Sequence, residues 1–202
     1  GGARVDAENT AGCTAMMLAA HEGHEEVVKW LVEKGGAKVD AEDRKGGTAL
    51  MMTLASDGGP HVELAKWLVE TGGANVTTAE RNGITAVMLA VEHGLEEVVK
   101  CMVDTGRTPL NAADDDGMTA AMLAAHAGHS RILRLLLAGR ETDVEASDNH
   151  GRTAVMMAAR NGHEEVVRML VKSYGANTNA ADESGRTALM MAAKYGHEEV
   201  VK

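Results

Sequence analysis

Gly151-Arg-Thr-Ala-Val-Met-Met-Ala-Ala-Arg-Asn-Gly162 is the stretch that predicts the fold, because its pattern Gly-x-Thr-Ala-x-Met returns six times along the chain. Consecutive copies lie 34 residues apart, except for one step of 37 residues between the second and the third. A fixed period of this length is typical of stacked supersecondary units and argues against a closed globular domain. The threonines of the copies are Thr14, Thr48, Thr85, Thr119, Thr153 and Thr187.

Each copy predicts a pair of short helices. Thr153 is placed to cap a first helix that begins at Ala154, and Gly162 is placed to end it. The next segment, 163–172, has an apolar stripe at helical spacing and two glutamates in its first turn, where the helix dipole favours negative charge. A loop is expected over 173–184. Because such short helices are unstable alone in water, neighbouring units must bury their apolar faces.

The composition of the chain limits the classes of partner that it can bind. Hydrophobic residues make up 45% of the chain and aromatic ones only 2%, so small aliphatic residues and 13 methionines must fill the core. A net charge of -10 argues against nucleic acid or direct membrane binding, since phosphate binding needs clustered lysine and arginine. No apolar run is long enough to insert into a membrane, and no segment of the sequence has the pattern of a signal peptide. Cys13 and Cys101 lack metal-ligand or disulfide spacing, and we expect an intracellular, cytoplasmic protein in a reducing compartment.

Further segments extend the repeated pattern. They are Asp148-Asn-His-Gly-Arg-Thr-Ala-Val-Met-Met-Ala-Ala159, Gly162-His-Glu-Glu-Val-Val167, Gly36-Ala-Lys-Val-Asp-Ala41 and Gly73-Ala-Asn-Val76. On these motifs the chain resembles ankyrin repeats along its whole length. The resemblance implies an all-α helix-turn-helix solenoid, an ankyrin-type stack with hairpin-like loops. We expect a single array over 1–202, with units at approximately 8–41, 42–78, 79–112, 113–146, 147–180 and a truncated unit at 181–202.

The chain departs from the ankyrin signature at two positions in every copy. Alanine replaces the signature proline, at Ala15, Ala49, Ala86, Ala120, Ala154 and Ala188. Methionine replaces the signature histidine, at Met17, Met51, Met88, Met122, Met156 and Met190. In ankyrin repeats that histidine typically hydrogen-bonds to neighbouring backbone, whereas a thioether is a weak acceptor. We therefore predict that hydrophobic packing replaces the hydrogen-bond network and leaves more freedom between units.

Two irregular segments of the chain lead to further predictions. Extra residues enter the second unit at Ser56-Asp-Gly-Gly-Pro60, and we interpret them as a tolerated surface insertion rather than a partner-binding loop. The start of the chain, 1–7, aligns with 35–41, and its last residues fall within a second helix. We expect the chain to be a segment of a longer protein; the alternative is that an added segment or a neighbouring molecule covers its ends.

No motif predicts catalysis. The histidines of His21-Glu-Gly-His24 are three residues apart, whereas a zinc protease helix needs them four apart, so the recurring Gly-His pair indicates a turn element. Asp114-Asp-Asp116 lacks the alternating ligands of a calcium loop and favours a plain acidic loop. No serine or cysteine has a recognisable base partner. We therefore expect a protein that is not an enzyme and has no cofactor and no metal site.

The resemblance implies partner binding through the loop tips and the exposed side of each first helix. Residues at these positions vary most among the copies, as in a binding surface, although idle surface would vary too. The candidate partner-binding residues are Arg44, Lys45, Arg81, Asn82, His93, Asp115, Asp116, His126, Asn149, His150, Arg152, Arg160, Arg186, Lys194 and Tyr195.

Charge along this candidate surface is uneven. The fifth and sixth units carry four basic residues there, Arg152, Arg160, Arg186 and Lys194, against the acidic net charge. We hypothesise that these units contact an acidic segment of another protein, with ordinary solvated charge as the alternative. Two functions therefore stay open. The first is a non-catalytic protein–protein interaction module. The second is a structural spacer or scaffold segment within a large assembly or a longer multidomain chain.

Overall fold

A computed structural model describes residues 4–139 and 141–202, and these residues form twelve α-helices and no β-strand. Three isolated antiparallel bridges, such as the one between Ser147 and Thr153, join the two sides of loops that precede first helices. The helices are α1 (Ala15–His21), α2 (Glu25–Glu33), α3 (Ala49–Leu54), α4 (Val62–Glu70), α5 (Ala86–Glu92), α6 (Glu96–Asp104), α7 (Ala120–Ala127), α8 (Ser130–Ala138), α9 (Ala154–Asn161), α10 (Glu164–Tyr174), α11 (Ala188–Tyr195) and α12 (Glu198–Val201).

The helices fall into two compact units, and each is described by itself. The first unit extends to Thr108 and contains α1 to α6, while the second begins at Pro109 and contains α7 to α12. In the first unit α1 packs on α3 and α3 on α5; in the second, α7 packs on α9 and α9 on α11. The single array over 1–202 and its unit boundaries stay predictions. Gly1–Ala3, part of the predicted starting loop, lie outside the described residues.

The repeated threonine begins each first helix. Five of the six threonine hydroxyl groups accept a hydrogen bond from the backbone N–H of the methionine three residues later, at 3.3–3.5 Å. At Thr14 the bond is reciprocal, because the Met17 thioether accepts from the Thr14 N–H at 3.4 Å. Thr153 differs from the prediction: it occupies the N-cap position with extended backbone, but its buried Oγ1 has no hydrogen-bond partner. The α9 helix therefore begins without a side-chain capping hydrogen bond from Thr153.

The predicted helix ends depend on glycine. Gly162 ends α9 with φ of 77°, in the left-handed region that glycine adopts without a steric penalty. The second helix of the same pair continues past the predicted end at 172 to Tyr174, because the next left-handed glycine is Gly175. Between α3 and α4 the extra residues, 56–60, form an exposed to half-buried turn.

The Gly-His pairs link neighbouring helix pairs. The Nε2 atom of His163 lies 3.0 Å from the carbonyl oxygen of His126, and that of His197 lies 2.8 Å from the carbonyl oxygen of Arg160. These contacts support the interpretation of Gly-His as a turn element. Across residues 4–139 and 141–202, no group of three or more His, Cys, Asp and Glu side chains is arranged to hold a metal ion.

Methionine fills much of the core. The methionine at the signature histidine position is at most 2% exposed in the first five copies, which confirms that hydrophobic packing replaces the histidine there. Met190, in the sixth copy, is the exception at 56% exposed. The added freedom between units stays a prediction. None of the described helices is long and apolar enough to cross a membrane.

Candidate protein-binding surface

The candidate residues lie on what we call the inner surface of each unit: the loop tips before the first helices together with the exposed ends of those helices. Backbone hydrogen bonds join neighbouring tips. In the first unit the Arg81 N–H donates to the Lys45 carbonyl at 2.8 Å, and the Arg44 N–H donates to the Ala11 carbonyl at 3.0 Å. The main chain of the tips is thus engaged between helix pairs, which leaves the side chains as the variable part of the surface.

The first unit presents a modest basic region. Arg44, Lys45, Arg81, Asn82 and His93 are all exposed, and no ion pair involving them is found among the described residues. Beneath them, burial raises the pKa of Glu80 and the nearby Asp43 carboxylate adds to this, while Lys45 opposes it. The Asp43 and Glu80 carboxylates therefore reduce the positive electrostatic potential of this basic region.

Acidic and amide groups occupy the tips of the second unit. The Asn149 N–H donates to the Asp116 carbonyl at 3.0 Å, and its side-chain amide donates to the Asp115 carbonyl at 2.7 Å. The next tip follows the same rule, with Glu183 N–H donating to the His150 carbonyl at 3.0 Å. The Asp115 and Asp116 carboxylates remain exposed.

Two of the four basic residues predicted for this surface are held by buried carboxylates. The Arg152 Nε donates to Asp148 Oδ2 at 2.6 Å, and the Arg186 Nε donates to Asp182 Oδ2 at 2.8 Å. Both carboxylate side chains are almost fully inaccessible to solvent. Burial opposes ionisation of Asp148, but hydrogen bonds from Arg152 outweigh it and lower the Asp148 pKa. The Arg186 hydrogen bond likewise lowers the pKa of Asp182.

Sequence reasoning missed these pairs, although the spacing of four residues between aspartate and arginine was the available signal. In each, the aspartate also accepts the arginine backbone N–H, at 2.8 Å for Asp148 and 2.9 Å for Asp182. Each arginine therefore stabilises the loop that contains it. Its charge is largely neutralised before any partner arrives.

The other two basic residues form the Arg160 cluster, which we define as Arg160, Lys194 and Tyr195. The Arg160 guanidinium carbon lies 5.4 Å from the centroid of the Tyr195 ring, and the Lys194 Nζ lies 5.5 Å from it. All three side chains are exposed. Within the part of the chain that the structure describes, neither cation forms a salt bridge. The cluster combines two unneutralised cations with one exposed aromatic ring.

A small pocket lies beside the cluster. We call it the methionine pocket; it has a volume of about 210 Å³ and is lined by Met118, Leu123, His126, Arg152, Met157, Arg160 and Met191. Leu123, Met157 and Met191 stand at the same position of three successive copies, four residues after the threonine. The sequence pattern marks that position as a uniform apolar core site, so it gave no hint of a pocket.

His126 forms one side of the methionine pocket. Burial lowers its pKa most, and electrostatic interactions with Arg160, His163 and Arg152 lower it further. The Asn161 side-chain amide donates to the His126 carbonyl at 2.7 Å and fixes this end of α7. The uncharged form of His126 is thus favoured, and the backbone of this part of the pocket wall is held by a hydrogen bond.

The comparisons with known proteins agree with this architecture. A family model described as "Ankyrin repeats (3 copies)" matches residues 1–80, 52–148 and 138–202. No curated protein sequence matches the chain.

Two solved structures are similar. The ankyrin repeat protein EF0377 is 25% identical with a TM-score of 0.84, and the match covers 99% of this chain and 96% of that one. The ankyrin repeat domain of Bcl-3, a member of the IkappaB family, is 30% identical with a TM-score of 0.77, covering 94% and 83%. The predicted all-α helix-turn-helix solenoid class is confirmed, and this chain belongs to the ankyrin repeat family.

Proposed function

We propose that this chain is a non-catalytic module that binds another protein through the inner surface of its second unit, and that the bound part of the partner is an acidic segment. Ankyrin repeats generally are protein–protein interaction modules, which supports the broad function. The observation that carries the specific proposal is the Arg160 cluster, where two exposed cations without a salt-bridge partner in the described residues flank an exposed tyrosine.

The charge balance favours this site over the other basic positions. Arg152 and Arg186 are already bound by buried aspartates, so removing them from those partners would leave a carboxylate unpaired. Arg160 and Lys194 form no salt bridge with a carboxylate among the described residues, so pairing with a partner would leave no carboxylate of this chain unpaired. In a chain of net charge -10, most of the surface repels an acidic segment and this cluster attracts it. The exposed carboxylates of Asp115 and Asp116, in contrast, attract basic residues of the partner.

The experiment is a selection from a random peptide display library on the purified chain, followed by affinity measurement on synthetic peptides. We expect the selected peptides to be rich in aspartate and glutamate and to bind less tightly as salt is raised, because exposed charges are screened. The double variant Arg160→Glu/Lys194→Glu should weaken their binding by about tenfold or more.

The matched control is Lys34→Glu/Arg107→Glu, which makes the same change in net charge at exposed positions of the first unit. Its affinity for the peptides should stay within about twofold of the unsubstituted chain. Equal losses in both double variants would mean that only net charge matters, and selected peptides without acidic residues would reject the acidic partner.

A structural role is the second candidate, and exposed apolar faces favour it. Leu18 and Trp30 are 51% and 59% exposed, and Leu189 and Met190 are each 56% exposed. The residues equivalent to Leu189 and Met190 in α9, Val155 and Met156, are buried at 2% and 0%. Exposed patches of this kind mark sites of association. On this second proposal, the chain is a structural spacer or scaffold segment within a large multi-subunit assembly or a longer multidomain chain, and these faces pack on its other parts, which can include further copies of this chain.

Sedimentation velocity over a range of protein concentrations tests the structural role. Concentration-dependent assembly that disappears in Leu189→Lys/Met190→Lys would support it. A chain that stays monomeric at all concentrations would reject assembly through copies of this chain. Since neither residue belongs to the Arg160 cluster, peptide binding should survive in the variant and keep the two functions separable.

A further inference from the structure

The methionine pocket has the size and lining of a receptor for one side chain. Its volume of about 210 Å³ falls below the range of about 300–1,000 Å³ typical of pockets for drug-sized ligands. Three consecutive helix pairs contribute apolar walls: Met118 and Leu123 from the fourth, Met157 from the fifth and Met191 from the sixth. Thioether side chains are flexible and polarizable, so such walls adapt to aliphatic or aromatic groups of different shape.

Of the polar groups at the rim, Arg160 has no salt-bridge partner in the described residues, whereas the Arg152 guanidinium is bound to Asp148. The lowered pKa of His126 favours its uncharged form. Away from Arg160 the walls are apolar, so a polar side chain that fills the pocket would give up its water without gaining a new ionic partner there. An apolar side chain gives up no hydrogen bond and gains burial, so the pocket selects for apolar groups.

Arg160 belongs both to the pocket wall and to the Arg160 cluster. An apolar group in the pocket and a carboxylate on the Arg160 guanidinium would then be close together on one ligand. In an extended peptide, residues advance about 3.3 Å each and alternate in direction, so the two groups would lie within about two residues of each other.

We propose that the methionine pocket receives one apolar side chain of the acidic partner segment, so that the recognised element is an apolar residue with a carboxylate within about two positions of it. This inference rests on the proposed function, because it places the anchor in the same segment that the Arg160 cluster attracts. It adds a chemical specificity that charge alone does not provide.

The first test uses the peptides selected from the random display library, remade with single changes. Replacing the apolar residue nearest the acidic ones with alanine should weaken binding by about tenfold, the effect of losing most of one buried aliphatic side chain. Replacing apolar residues farther along the peptide should change affinity by less than about twofold.

The second test changes the pocket with little risk to folding. Met118→Arg introduces the residue that the fifth and sixth copies already have at this position, Arg152 and Arg186. Asp114 Oδ1 accepts the Met118 N–H at 2.8 Å, as Asp148 accepts that of Arg152, so a carboxylate is ready for the new guanidinium. The matched control is Ile84→Arg, at the same position of the third copy in the first unit.

The measured quantity is the affinity ratio between the parent peptide and its alanine variant, so that the added positive charge cancels. We expect the ratio to fall from about tenfold to about threefold or less in Met118→Arg, and to stay near tenfold in Ile84→Arg. Lys194→Glu, at a residue that does not line the pocket, should weaken both peptides equally.

The outcomes separate this inference from the proposed function. If acidic peptides bind and depend on Arg160 and Lys194, but the alanine variant binds as well as its parent, the pocket anchor is wrong and the proposed function stands. A ratio that stays near tenfold in Met118→Arg would place the anchor elsewhere and equally overturn the inference. If acidic residues of the peptide have no effect on affinity, the proposed function itself fails.

Discussion

The Nε2 atom of His197 lies 2.8 Å from the carbonyl oxygen of Arg160, so the start of α12 is tied to the end of α9. The contact passes over Gly162, where an added Cβ atom would lie 2.5 Å from the Nδ1 atom of the same imidazole. Gly162 is thus required twice, for its left-handed backbone and for the space that it leaves to the ring. The tie also holds in place the backbone that carries the Arg160 side chain.

Gly162→Ala should destabilise the chain more than a change at an otherwise similar glycine. A left-handed alanine costs about 1–2 kcal/mol, and the clash with the His197 ring should add about 1–3 kcal/mol to the loss in free energy of unfolding. Urea denaturation measures this. The control is Gly175→Ala, since Gly175 has a similar φ of 71° but nothing within 4 Å of an added Cβ. Equal losses of unfolding free energy in the two variants would show that the His197 ring moves aside without an energetic cost.

Asp148→Asn should weaken the loop that carries Arg152. The substitution removes the negative charge but keeps an acceptor for the backbone N–H groups, so we expect a loss of about 1–3 kcal/mol in unfolding free energy. The control is Asp116→Asn, which removes an exposed negative charge at the preceding loop tip. It should lower the unfolding free energy by less than about 0.5 kcal/mol. A comparable cost for both would contradict the role assigned to the buried pair.

Stability should also depend on pH through these carboxylates. The pKa values of Asp148 and Asp182 are lowered in the folded chain, so folding favours their ionised forms. Their contribution is full above the ordinary aspartate pKa of about 3.9 and is lost as the pH falls through the lower folded values. Thermal unfolding followed from about pH 6 to pH 2 should show a shallower acid decline in Asp148→Asn than in the parent chain.

Thr153→Val should be tolerated, in contrast to the same change at Thr119. The Thr153 hydroxyl is buried without a hydrogen-bond partner, so its replacement by a methyl group should change stability by about 0–1 kcal/mol in the favourable direction. The Thr119 hydroxyl accepts the Met122 N–H at 3.3 Å, and its loss should cost about 1 kcal/mol. Differential scanning calorimetry compares the two; a clear loss in Thr153→Val would mean that this hydroxyl is satisfied in solution.

Both cysteines should react slowly with iodoacetamide at neutral pH. Burial, followed by the hydrogen bond to Glu70, raises the pKa of Cys101 to about 11, and burial also raises that of Cys13. Because the thiolate is the nucleophile, Cys101 should be modified far more slowly than a free cysteine, with the less buried Cys13 faster than Cys101. Mass spectrometry of a labelling time course measures both rates, and equal rates for the two sites would count against this burial.

Much of the fold could be predicted because its signals are local. Thr187 before α11 and Gly196 after it act on the helix that they flank, and their spacing repeats along the chain. The same spacing indicated the family, which the comparisons confirmed. Met190 shows the limit of this reasoning: it has the pattern of its five buried equivalents yet is exposed, because no helix pair packs over it among the described residues.

The candidate binding surface was less predictable. Sequence alone could name Arg152, Arg160, Arg186 and Lys194 as one basic group but could not rank them. Their difference depends on whether a carboxylate is buried beside each guanidinium or ammonium group, and burial results from packing between loops and helices distant in sequence. The intracellular, cytoplasmic location expected from the sequence stays a prediction.

By itself, then, the sequence determined the repeat period, the start and end of α9, and membership of the ankyrin family, since each depends on residues close together in the chain. Only the tertiary structure decided that Met118, Leu123, Met157 and Met191 share a pocket beside Arg160, because residues separated by whole repeats come together there. It also decided that Asp148 and Asp182 neutralise two of the four cations. Their ionisation depends on solvent exclusion and hydrogen-bond geometry, which only the folded chain supplies.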